Sequence, residues 1–561
     1  MLTADQLRDV IAQGEQLDVE FRGEERGALD DRELVETVTC LANARGGLVL
    51  IGVEDDGRIT GARPRHGTYT DARRLELMIA NQTAPACSVE CGVVPIDERD
   101  VLVVSIPPEQ PVTATVAGVY RRRATDVHGR WKCVPFLPHE MQSREASRGV
   151  IDHSALVVPQ AQWTDLDPLE LERLRQTIAR NAGRADASLL NLPDEEIARA
   201  LGLRVGSGIT IAGLLMVGRE ESVRQLIPTH EVAFQVMTGL RIAVNEFYRL
   251  PLIRVAEVIR ERFDARNEEE ELAVGSVSVG VPRYSPAGFR EALHNALIHR
   301  DYTSLGAVHV QWSENEIEIS NPGGFPAEVR LENLLVTAPR PRNPVLANAF
   351  KRIGLVERTG RGIDTIFEGQ LRYGRHAPDY SRSTAEAVHV VLRGGPANMA
   401  LTRLVAARDK PGQRLGVEEL LILNAVDSER RVTVGRVAAL VQRAEPVALS
   451  FLERLVETGL LEARDERRDR VYHFSAATYR ALGTPEAFVR VRGIEPIQRE
   501  SMILQYVASH GRITRAQAAD LCQVGPREAR AVLEKLVKRG DLVVKGERRG
   551  SYYEQAAEAM S

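Results

Sequence analysis

The amino-acid sequence predicts a multidomain α+β protein. Its 561 residues exceed what one hydrophobic core usually holds, and roughly three to five domains are expected. Along the chain, apolar residues switch repeatedly between helical spacing and the alternation of strands. Near the C-terminus, residues 417–475 and 497–553 repeat one order, three short helices followed by two short strands. We therefore expect mixed domains followed by two copies of a smaller fold.

The first predicted domain spans residues 1–147. Residues 4–14 and 31–44 have helical spacing, whereas the runs LDVEF, GLVLIGV and DVLVVSIP have the composition of strands. A linker over 148–165 and a mixed region over 166–279 follow. In the mixed region, LDPLELERLRQTIARNA, PDEEIARALGL and PLIRVAEVIRERF predict helices, and ITIAGLLMVG predicts a buried strand or helix.

Two motifs of the first domain resemble those of the Schlafen AlbA_2 domain. The first contains Glu15, Glu20 and Arg22, where the family usually has Lys, and the second runs from Cys40 to Gly57. In nuclease-active members, two glutamates and a further acid form a metal-dependent RNase site. The resemblance therefore implies Glu15, Glu20 and Asp55 (or its neighbour Glu54) as nuclease acids. Many bacterial members are instead interpreted as binding modules.

A basic run follows a later strand of this domain. Arg121, Arg122 and Arg123 are expected to contact phosphate groups of RNA or DNA. Family members have a glycine within this run, which this chain replaces with an arginine-rich version. The alternative is a solvated basic edge strand.

Residues 280–395 carry the sharpest motif, REALHNALIHRDY. Glu291 and Asn295 are four residues apart and therefore share one helix face. The Asn295 amide is suited to ligate Mg²⁺, and the Glu291 carboxylate is suited to orient a water against a γ-phosphate. Two glycine-containing turns follow, at 321–326 and 360–363, where backbone can approach a ligand closely.

In this order, these motifs resemble the ATP-binding α/β sandwich called GHKL, shared by gyrase, heat-shock chaperones, histidine kinases and mismatch-repair proteins. The helicase-like C-terminal branch of that group is the closest in pattern. The resemblance implies ATP and Mg²⁺ as ligands, and Asn321 stands where the family usually reads adenine with Asp. The implied nucleotide-binding residues are Asn295, Arg300, Asn321, Gly323, Gly324, Gly360, Arg361 and Gly362. The alternative is a degenerate fold kept for dimerisation or signalling.

The last two predicted domains, 400–482 and 490–556, have the pattern of winged helices. In the second, Pro526 opens a helix that would enter the DNA major groove. The cations of this helix and of the following hairpin are expected to contact duplex DNA: Arg527, Arg530, Lys535, Lys545, Arg548 and Arg549. In the first copy, the equivalent helix is acidic, with Arg454 as its single cation, which favours protein contacts or phosphate contacts only through Arg467, Arg468 and Arg470. A protein–protein winged helix is the alternative for both.

Composition and charge exclude some classes of protein. A net charge of −5 excludes a globally basic nucleic-acid binder and leaves local patches. No apolar run approaches the ~18–20 residues of a membrane span, and the N-terminal sequence lacks signal-peptide features. We therefore expect a cytoplasmic protein without membrane contact.

The five cysteines are expected to be free or buried thiols. Such an odd, sparse set argues against a disulfide framework. Zinc held by Cys87, Cys91, Cys133 and His128 is the weaker alternative, because the spacing is loose and no CxxC pair occurs.

The whole arrangement resembles bacterial transcriptional regulators with a Schlafen-like domain. It predicts a homodimer in which the GHKL-like domain senses ATP, the winged helices bind duplex DNA and the N-terminal domain adds a nucleic-acid or ligand contact. Two alternatives remain open. One is an ATP-gated, metal-dependent nuclease acting on RNA or DNA in stress or phage defence, and the other is a scaffold that only dimerises.

Overall fold

The computed structural model divides the chain into two compact units. It describes residues 2–108, 110–126, 129–274, 277–326, 328–356, 362–408, 414–466, 469–483, 496–522, 524–545 and 551–556. The first unit contains residues 1–268, 282–370 and 378–395, and the second contains 269–281, 371–377 and 396–561.

Helices and strands alternate along the chain. The helices of the described residues are α1 (Ala4–Gln13), α2 (Asp31–Ala42), α3 (Ala72–Asn81), α4 (Pro138–Ser147), α5 (Pro168–Arg180), α6 (Asp194–Ala200), α7 (Ile211–Val217), α8 (Glu220–Leu226), α9 (Leu252–Asp264), α10 (Pro286–His299), α11 (Pro344–Arg352), α12 (Gly362–Leu371), α13 (Met399–Ala407), α14 (Val417–Glu429), α15 (Val434–Val441), α16 (Glu445–Glu457), α17 (Ala476–Ala481), α18 (Pro496–His510), α19 (Arg515–Leu521) and α20 (Pro526–Arg539).

The strands of the same residues are β1 (Val19–Arg22), β2 (Gly47–Ile51), β3 (Thr83–Ala84), β4 (Glu90–Ile96), β5 (Arg99–Ile106), β6 (Ala114–Thr115), β7 (Arg121–Thr125), β8 (Trp131–Pro135), β9 (Arg204–Val205), β10 (Gly208–Ile209), β11 (Val232–Thr238), β12 (Arg241–Tyr248), β13 (Glu269–Val274), β14 (Val277–Pro282), β15 (Val308–Trp312), β16 (Glu316–Pro322), β17 (Ala387–Arg393), β18 (Val432–Thr433), β19 (Leu461–Glu466), β20 (Asp469–Phe474), β21 (Arg512–Thr514), β22 (Leu542–Lys545) and β23 (Tyr552–Gln555).

The N-terminal domain is built on a four-stranded sheet in the order β1-β2-β5-β4. Strand β1 is parallel to β2, and the remaining pairs are antiparallel. Helices α2 and α3 contribute to the hydrophobic cluster that contains Val49 and Ile51, whereas α1 contributes to the cluster that contains Leu50. Because both faces are covered, β2 is apolar at successive positions rather than alternating.

One disulfide contradicts the prediction of free thiols. Cys40 on α2 is bonded to Cys133 on β8, with Cα atoms 5.8 Å apart across 93 residues of sequence. The hairpin β7–β8 packs on α2 and brings the two together. Cys133 is therefore not a zinc ligand, and burial raises the pKa of Cys87 to about 11 and of Cys91 to about 12, which disfavours the metal-binding thiolate. His128 lies outside the described residues.

The central sheet has five strands in the order β12-β11-β15-β16-β17. Only the β11–β15 pair is parallel. The sheet therefore begins at Val232 rather than at residue 280, because the hairpin β11–β12, placed by the sequence in the connecting region, pairs with β15. Helices α9 and α10 pack together on this sheet, where Phe263 stacks on Phe289 with ring centroids 4.0 Å apart. The segment ITIAGLLMVG forms the buried helix α7.

The second unit ends in two modules of three helices with a three-stranded antiparallel sheet. Their sheets have the orders β18-β20-β19 and β21-β23-β22. Each sheet contains a short strand before its second helix, β18 or β21, in addition to the two predicted strands. The core of the last module comprises Ile503, Val507, Ile513, Ala518, Cys522, Ala529, Leu533, Leu536, Leu542 and Tyr553. Among the helices described here, none is long and apolar enough to cross a membrane.

The last module has a hydrophobic core of its own, whose contribution to stability a substitution can test. Leu533→Ala removes a fully buried side chain and is expected to lower the free energy of unfolding of this module by about 2–5 kcal/mol. Val543→Ala, at a 39% exposed position of β22, is the control. Urea unfolding followed by hydrogen exchange of residues 496–556 measures both. Equal effects of the two substitutions would contradict this packing.

Candidate functional site

A cavity of about 760 Å³ lies in the central domain. Helix α10 and helix α11 form two of its walls, and strands β16 and β17 contribute Ile319, Val388 and Val390 to an apolar surface. Residues 334–341 cover it with apolar side chains and prolines. A cavity of this size, mostly apolar with a few polar groups, is typical of a small-molecule site.

Helix α10 places three polar side chains on the cavity wall. The Ser285 hydroxyl caps the helix by accepting the Gly288 N–H at 3.2 Å, and Pro286 occupies its first turn. Glu291, Asn295 and His299 recur every four residues and line the cavity, while the opposite face is buried. Burial, together with the charge of Arg342, lowers the pKa of His299 to about 4, so this ring is neutral at neutral pH.

Glu291 and Asn295 differ in their surroundings. Glu291 is 3% exposed and lies against Gly362, where an added Cβ would be 2.2 Å from its carboxylate oxygen. Tyr380 lines the same cavity, and its burial, and then the Glu291 charge, raise the pKa of its phenol. The side chain of Asn295 is half-buried and makes no hydrogen bond to any described residue. Its amide is therefore open to a ligand in the cavity.

Asn321 lies at the end of β16 and is 4% exposed. Its amide nitrogen donates to the Pro322 carbonyl at 3.1 Å, which leaves its side-chain oxygen as an acceptor. The strands around it contribute apolar side chains to the same cavity. A single acceptor among apolar groups can select a ligand by one directed hydrogen bond.

The Gly323–Gly324 turn does not line the cavity, contrary to the prediction. An added Cβ at Gly324 would lie 2.3 Å from the Ala385 carbonyl oxygen, and Gly323 has φ +93° and close contacts to Asp301 and Arg342. These glycines therefore permit close backbone packing. The next residues, Phe325 and Pro326, are the ones that line the cavity.

Arg300 also differs from its predicted role. It is fully buried, its guanidinium donates to the carbonyls of Thr229 and Gly306, and it lies 4.9 Å from the Tyr302 ring centroid. It stabilises the loop after α10 and does not reach the cavity. Gly360 and Arg361 lie outside the described residues, whereas Gly362 begins α12 and lines the cavity.

The segment between the cavity cover and α11 was missed by sequence reasoning. Asn343 is fully buried and donates to the carbonyls of Ile298 at 2.8 Å and Arg300 at 2.9 Å, which ties the end of α10 to the start of α11. Two cations also line the cavity, Arg340, paired with Glu328 at 2.8 Å, and Lys351 on α11. In the sequence, the run APRPRNP at 338–344, which is rich in Pro and Arg, could have identified this segment.

The predicted nuclease acids are not assembled into a metal site. Glu20 is 3% exposed and its carboxylate is paired with Arg123 and Arg22. The Glu15 carboxylate accepts the Phe21 N–H at 3.0 Å, and Asp55 lies in an exposed turn. In the part of the chain that the structure describes, no group of three or more His, Cys, Asp or Glu residues could hold a metal ion.

The arginine run of β7 is occupied by carboxylates of its own domain. Arg123 is buried against Glu20, which corrects its predicted role as a phosphate contact. Arg121 is 3.4 Å from the Glu36 carboxylate, and Arg122 is paired with Glu140.

The predicted DNA-contacting cations of the last module differ in availability. Arg527, in the first turn of α20, is exposed and has no partner among the described residues. Arg530 pairs with Glu534 at 2.6 Å, Lys535 with Glu500 at 2.7 Å and Lys545 with Glu554 at 3.0 Å. Arg548 and Arg549 lie outside the described residues.

The fold and the cavity define a mixed α/β multidomain protein with an ATPase-like domain. Three family models match parts of the chain. Residues 306–392 match "Putative ATP-dependent DNA helicase recG C-terminal", residues 15–128 match "Schlafen, AlbA_2", and residues 140–233 match "Domain of unknown function (DUF8451)". These matches confirm the resemblance to the Schlafen AlbA_2 domain and to the helicase-like ATP-binding family, and they support nucleotide binding.

Two solved structures are similar to the chain. The DIP2311 protein from Corynebacterium diphtheriae is 20% identical, with 98% of each chain covered and a TM-score of 0.50. The N-terminal domain of a putative ATP-dependent DNA helicase RecG-related protein from Nitrosomonas europaea is 22% identical over 22% of this chain and 92% of that one, with a TM-score of 0.17. At 20% identity, the similarity to the DIP2311 protein indicates a shared fold alone. No curated protein matches the chain.

The buried ion pair of the N-terminal domain yields a prediction. Glu20→Ala leaves the Arg123 guanidinium buried without its carboxylate and is expected to lower the free energy of unfolding by about 3–5 kcal/mol. Asp55→Ala, in an exposed turn, is the control and should change it by less than about 0.5 kcal/mol. Denaturant unfolding measures both. Loss of metal-dependent RNA cleavage in Glu20→Ala at unchanged stability would instead support the nuclease alternative.

Proposed function

We propose that the central domain binds ATP with Mg²⁺ and that this nucleotide regulates duplex-DNA binding by the C-terminal modules. The observation that carries the proposal is the convergence of Glu291, Asn295, Asn321 and Gly362 on one cavity. These residues are separated by up to 71 positions in sequence and belong to three motifs of the ATP-binding resemblance. The family-model match over residues 306–392 supports the same conclusion.

The polarity of the cavity suits a nucleotide. The apolar side chains of β16 and β17 can pack against the base, and the Asn321 side-chain oxygen can accept a hydrogen bond from the adenine amino group. Lys351 places positive charge on the cavity wall, where phosphates would need it, and Arg340, which is paired with Glu328, is a second cation on that wall. An Asn in place of the usual Asp retains the acceptor but lacks the charge.

The polar face of α10 fits a magnesium ion that arrives with the nucleotide. Asn295 offers an amide oxygen that accepts no hydrogen bond from any described residue, with the Glu291 carboxylate one turn earlier. Because the described residues supply no three-carboxylate cage, most ligands would be phosphate oxygens and waters, as Mg²⁺ prefers. When bound, the ion neutralises charge on the phosphates. Glu291 is then the residue placed to hold and orient a water for hydrolysis.

We further propose that the two C-terminal modules are winged helices and that the last one contacts DNA. Its helix α20 presents Arg527 to solvent, and its sheet order places the hairpin β22–β23 after that helix. The corresponding helix α16 carries Glu445, Glu453 and Glu457, and its Arg454 is 2.7 Å from Glu419. The first module therefore fits protein contacts better.

The resulting protein is a nucleotide-sensing transcriptional regulator, proposed to act in the cytoplasm as a homodimer, the state that such DNA-binding modules favour. Its N-terminal AlbA_2 domain is proposed as a nucleic-acid-binding module. A nuclease is the less favoured function, because Glu20 is neutralised by buried Arg123.

The proposed nucleotide binding predicts the effect of removing the Asn295 amide on the affinity for Mg·ATP. Asn295→Ala removes the proposed Mg²⁺ ligand and is expected to weaken Mg·ATP binding by about tenfold to a hundredfold, or ~1.4–3 kcal/mol. Asn245→Ala on strand β12, whose amide pairs with Gln235 at 2.8 Å, is the control in the same domain. Titration calorimetry measures both dissociation constants. Unchanged affinity of Asn295→Ala would contradict the role of this residue.

The DNA proposal predicts a difference between two arginines. Arg527→Ala is expected to weaken duplex binding by about tenfold and to reduce the salt dependence by about one phosphate contact. Arg454→Ala, in the equivalent helix of the first module, should bind like the wild type. Fluorescence anisotropy at several salt concentrations measures both. Equal titration curves for the wild type and Arg527→Ala would mean that α20 does not contact DNA.

A further inference from the structure

Residues 138–155, here called the connecting segment, contact both the N-terminal domain and the cavity walls. The segment begins with α4 and ends in the 3₁₀ turn His153–Ala155. It follows the last strand of the N-terminal domain, and from residue 140 onward it lies within the DUF8451 match. All its contacts considered below lie within the first compact unit.

Helix α4 is held firmly by the N-terminal domain. Arg144 donates to the carbonyls of Ala42 at 2.8 Å and Gln110 at 3.2 Å, and also to Ala44. Glu140 is paired with Arg122 on β7. Because Arg144 joins three separate carbonyls, α4 moves with this domain rather than as a free linker.

The neighbouring residue of α4, Ser143, contacts Asp301 and Arg342, which both lie against Gly323 of the central domain. The Ser143 hydroxyl donates to the Asp301 carboxylate, and the Ser143 carbonyl accepts from Arg342 at 3.3 Å. Arg342 also donates to the Gly324 carbonyl at 2.9 Å, one residue before cavity-lining Phe325. Ser143 is therefore connected to the cavity through one buried guanidinium.

The end of the connecting segment caps α11. Asn343, the residue before this helix, provides no side-chain cap. Instead, the Asp152 carboxylate accepts the Val345 N–H at 2.7 Å, and the Ser154 hydroxyl oxygen accepts the Leu346 N–H at 3.2 Å. These are two of the N–H groups that a helix leaves unsatisfied at its first turn.

The cap acts on a wall of the cavity. Pro344, Ala347, Asn348 and Lys351 of α11 line it, so the orientation of this helix sets the position of the proposed phosphate-binding lysine. Asp152 also accepts the N–H of Ser154 at 2.9 Å and its hydroxyl at 2.6 Å, which directs the Ser154 oxygen lone pairs toward α11.

We propose that Asp152, Ser154 and Ser143 are positioning residues of the nucleotide cavity and that the connecting segment couples nucleotide binding to the N-terminal domain. Asp152 and Ser154 orient α11, and Ser143 orients the glycine turn through Arg342. A segment whose contacts differ between the filled and empty cavity transmits that difference in both directions. This inference rests on the proposed binding of nucleotide.

The test compares two substitutions of one residue. Asp152→Ala removes the acceptor of the Val345 N–H and the partner that orients the Ser154 hydroxyl, and it is expected to weaken Mg·ATP binding about tenfold. Asp152→Asn retains an acceptor oxygen for Val345 and should bind within about twofold of wild type. Asp167→Ala removes the N-cap acceptor of α5, a helix whose residues 168–180 do not line the cavity, and is the matched control. Calorimetry measures the affinities, and thermal unfolding of the two alanine variants separates a loss of affinity from a loss of stability, which should be similar for both caps.

Hydrogen exchange separates this inference from the proposed function. Without nucleotide, Asp152→Ala should speed the exchange of amides in α11 and leave those of α5 unchanged. Wild-type affinity or wild-type exchange at α11 in Asp152→Ala would overturn the positioning role. If the wild-type chain fails to bind Mg·ATP, the proposed function is overturned, and exchange at α11 still decides whether Asp152 positions that helix.

The coupling between the nucleotide cavity and the N-terminal domain is measured by hydrogen exchange in that domain. Mg·ATP should slow the exchange of amides around residues 42–44 in the wild-type chain, because Arg144 and Ser143 share α4. Ser143→Ala should retain protection of α11 and lose protection at 42–44. Nucleotide binding without any change at 42–44 in the wild type would overturn the coupling.

Discussion

The side chain of Asn343 joins the two helices on which the cavity depends. Its buried amide donates to two carbonyls at the end of α10, while its backbone begins α11. Helix ends leave such carbonyls unsatisfied, and burying them without a partner would cost roughly 1–3 kcal/mol each. The same hydrogen bonds therefore stabilise the fold and fix the separation of the walls that carry Asn295 and Lys351.

Buried arginines perform a comparable role throughout the first unit. Arg300 closes the loop after α10, Arg342 holds the glycine turn, and Arg123 neutralises Glu20. A buried guanidinium satisfies several carbonyl or carboxylate oxygens at once, and its fixed planar geometry restricts where they can lie. An arginine buried in this way is no longer available to contact a nucleic acid or a phosphate.

That Glu291 and Asn295 lie on one face of a helix could be predicted from the sequence, because this geometry is local. Glu291 and Asn295 share a face of α10 wherever that helix packs, and the N-cap Ser285 and Pro286 define its start. The roles of residues that depend on partners distant in sequence could not be predicted in this way. The sequence predicted Arg123 and Arg300 as cations available to a ligand. In the structure, Arg123 is paired with Glu20, and Arg300 donates to backbone carbonyls. The Cys40–Cys133 bond likewise depends on a hairpin packing on α2, and the strands β11 and β12 join the central sheet only through β15.

The amino-acid sequence by itself determined several of the helices, the AlbA_2 and ATP-binding resemblances and the polar face of α10, because helical periodicity and short motifs act over a few residues. The tertiary structure decided which cations remain accessible, where the cavity lies and how α11 is capped by Asp152 and Ser154. Those outcomes depend on hydrogen bonds and ion pairs between residues about 100 to 200 positions apart. No local pattern encodes such a partner, since burial and charge neutralisation arise only when distant segments pack together.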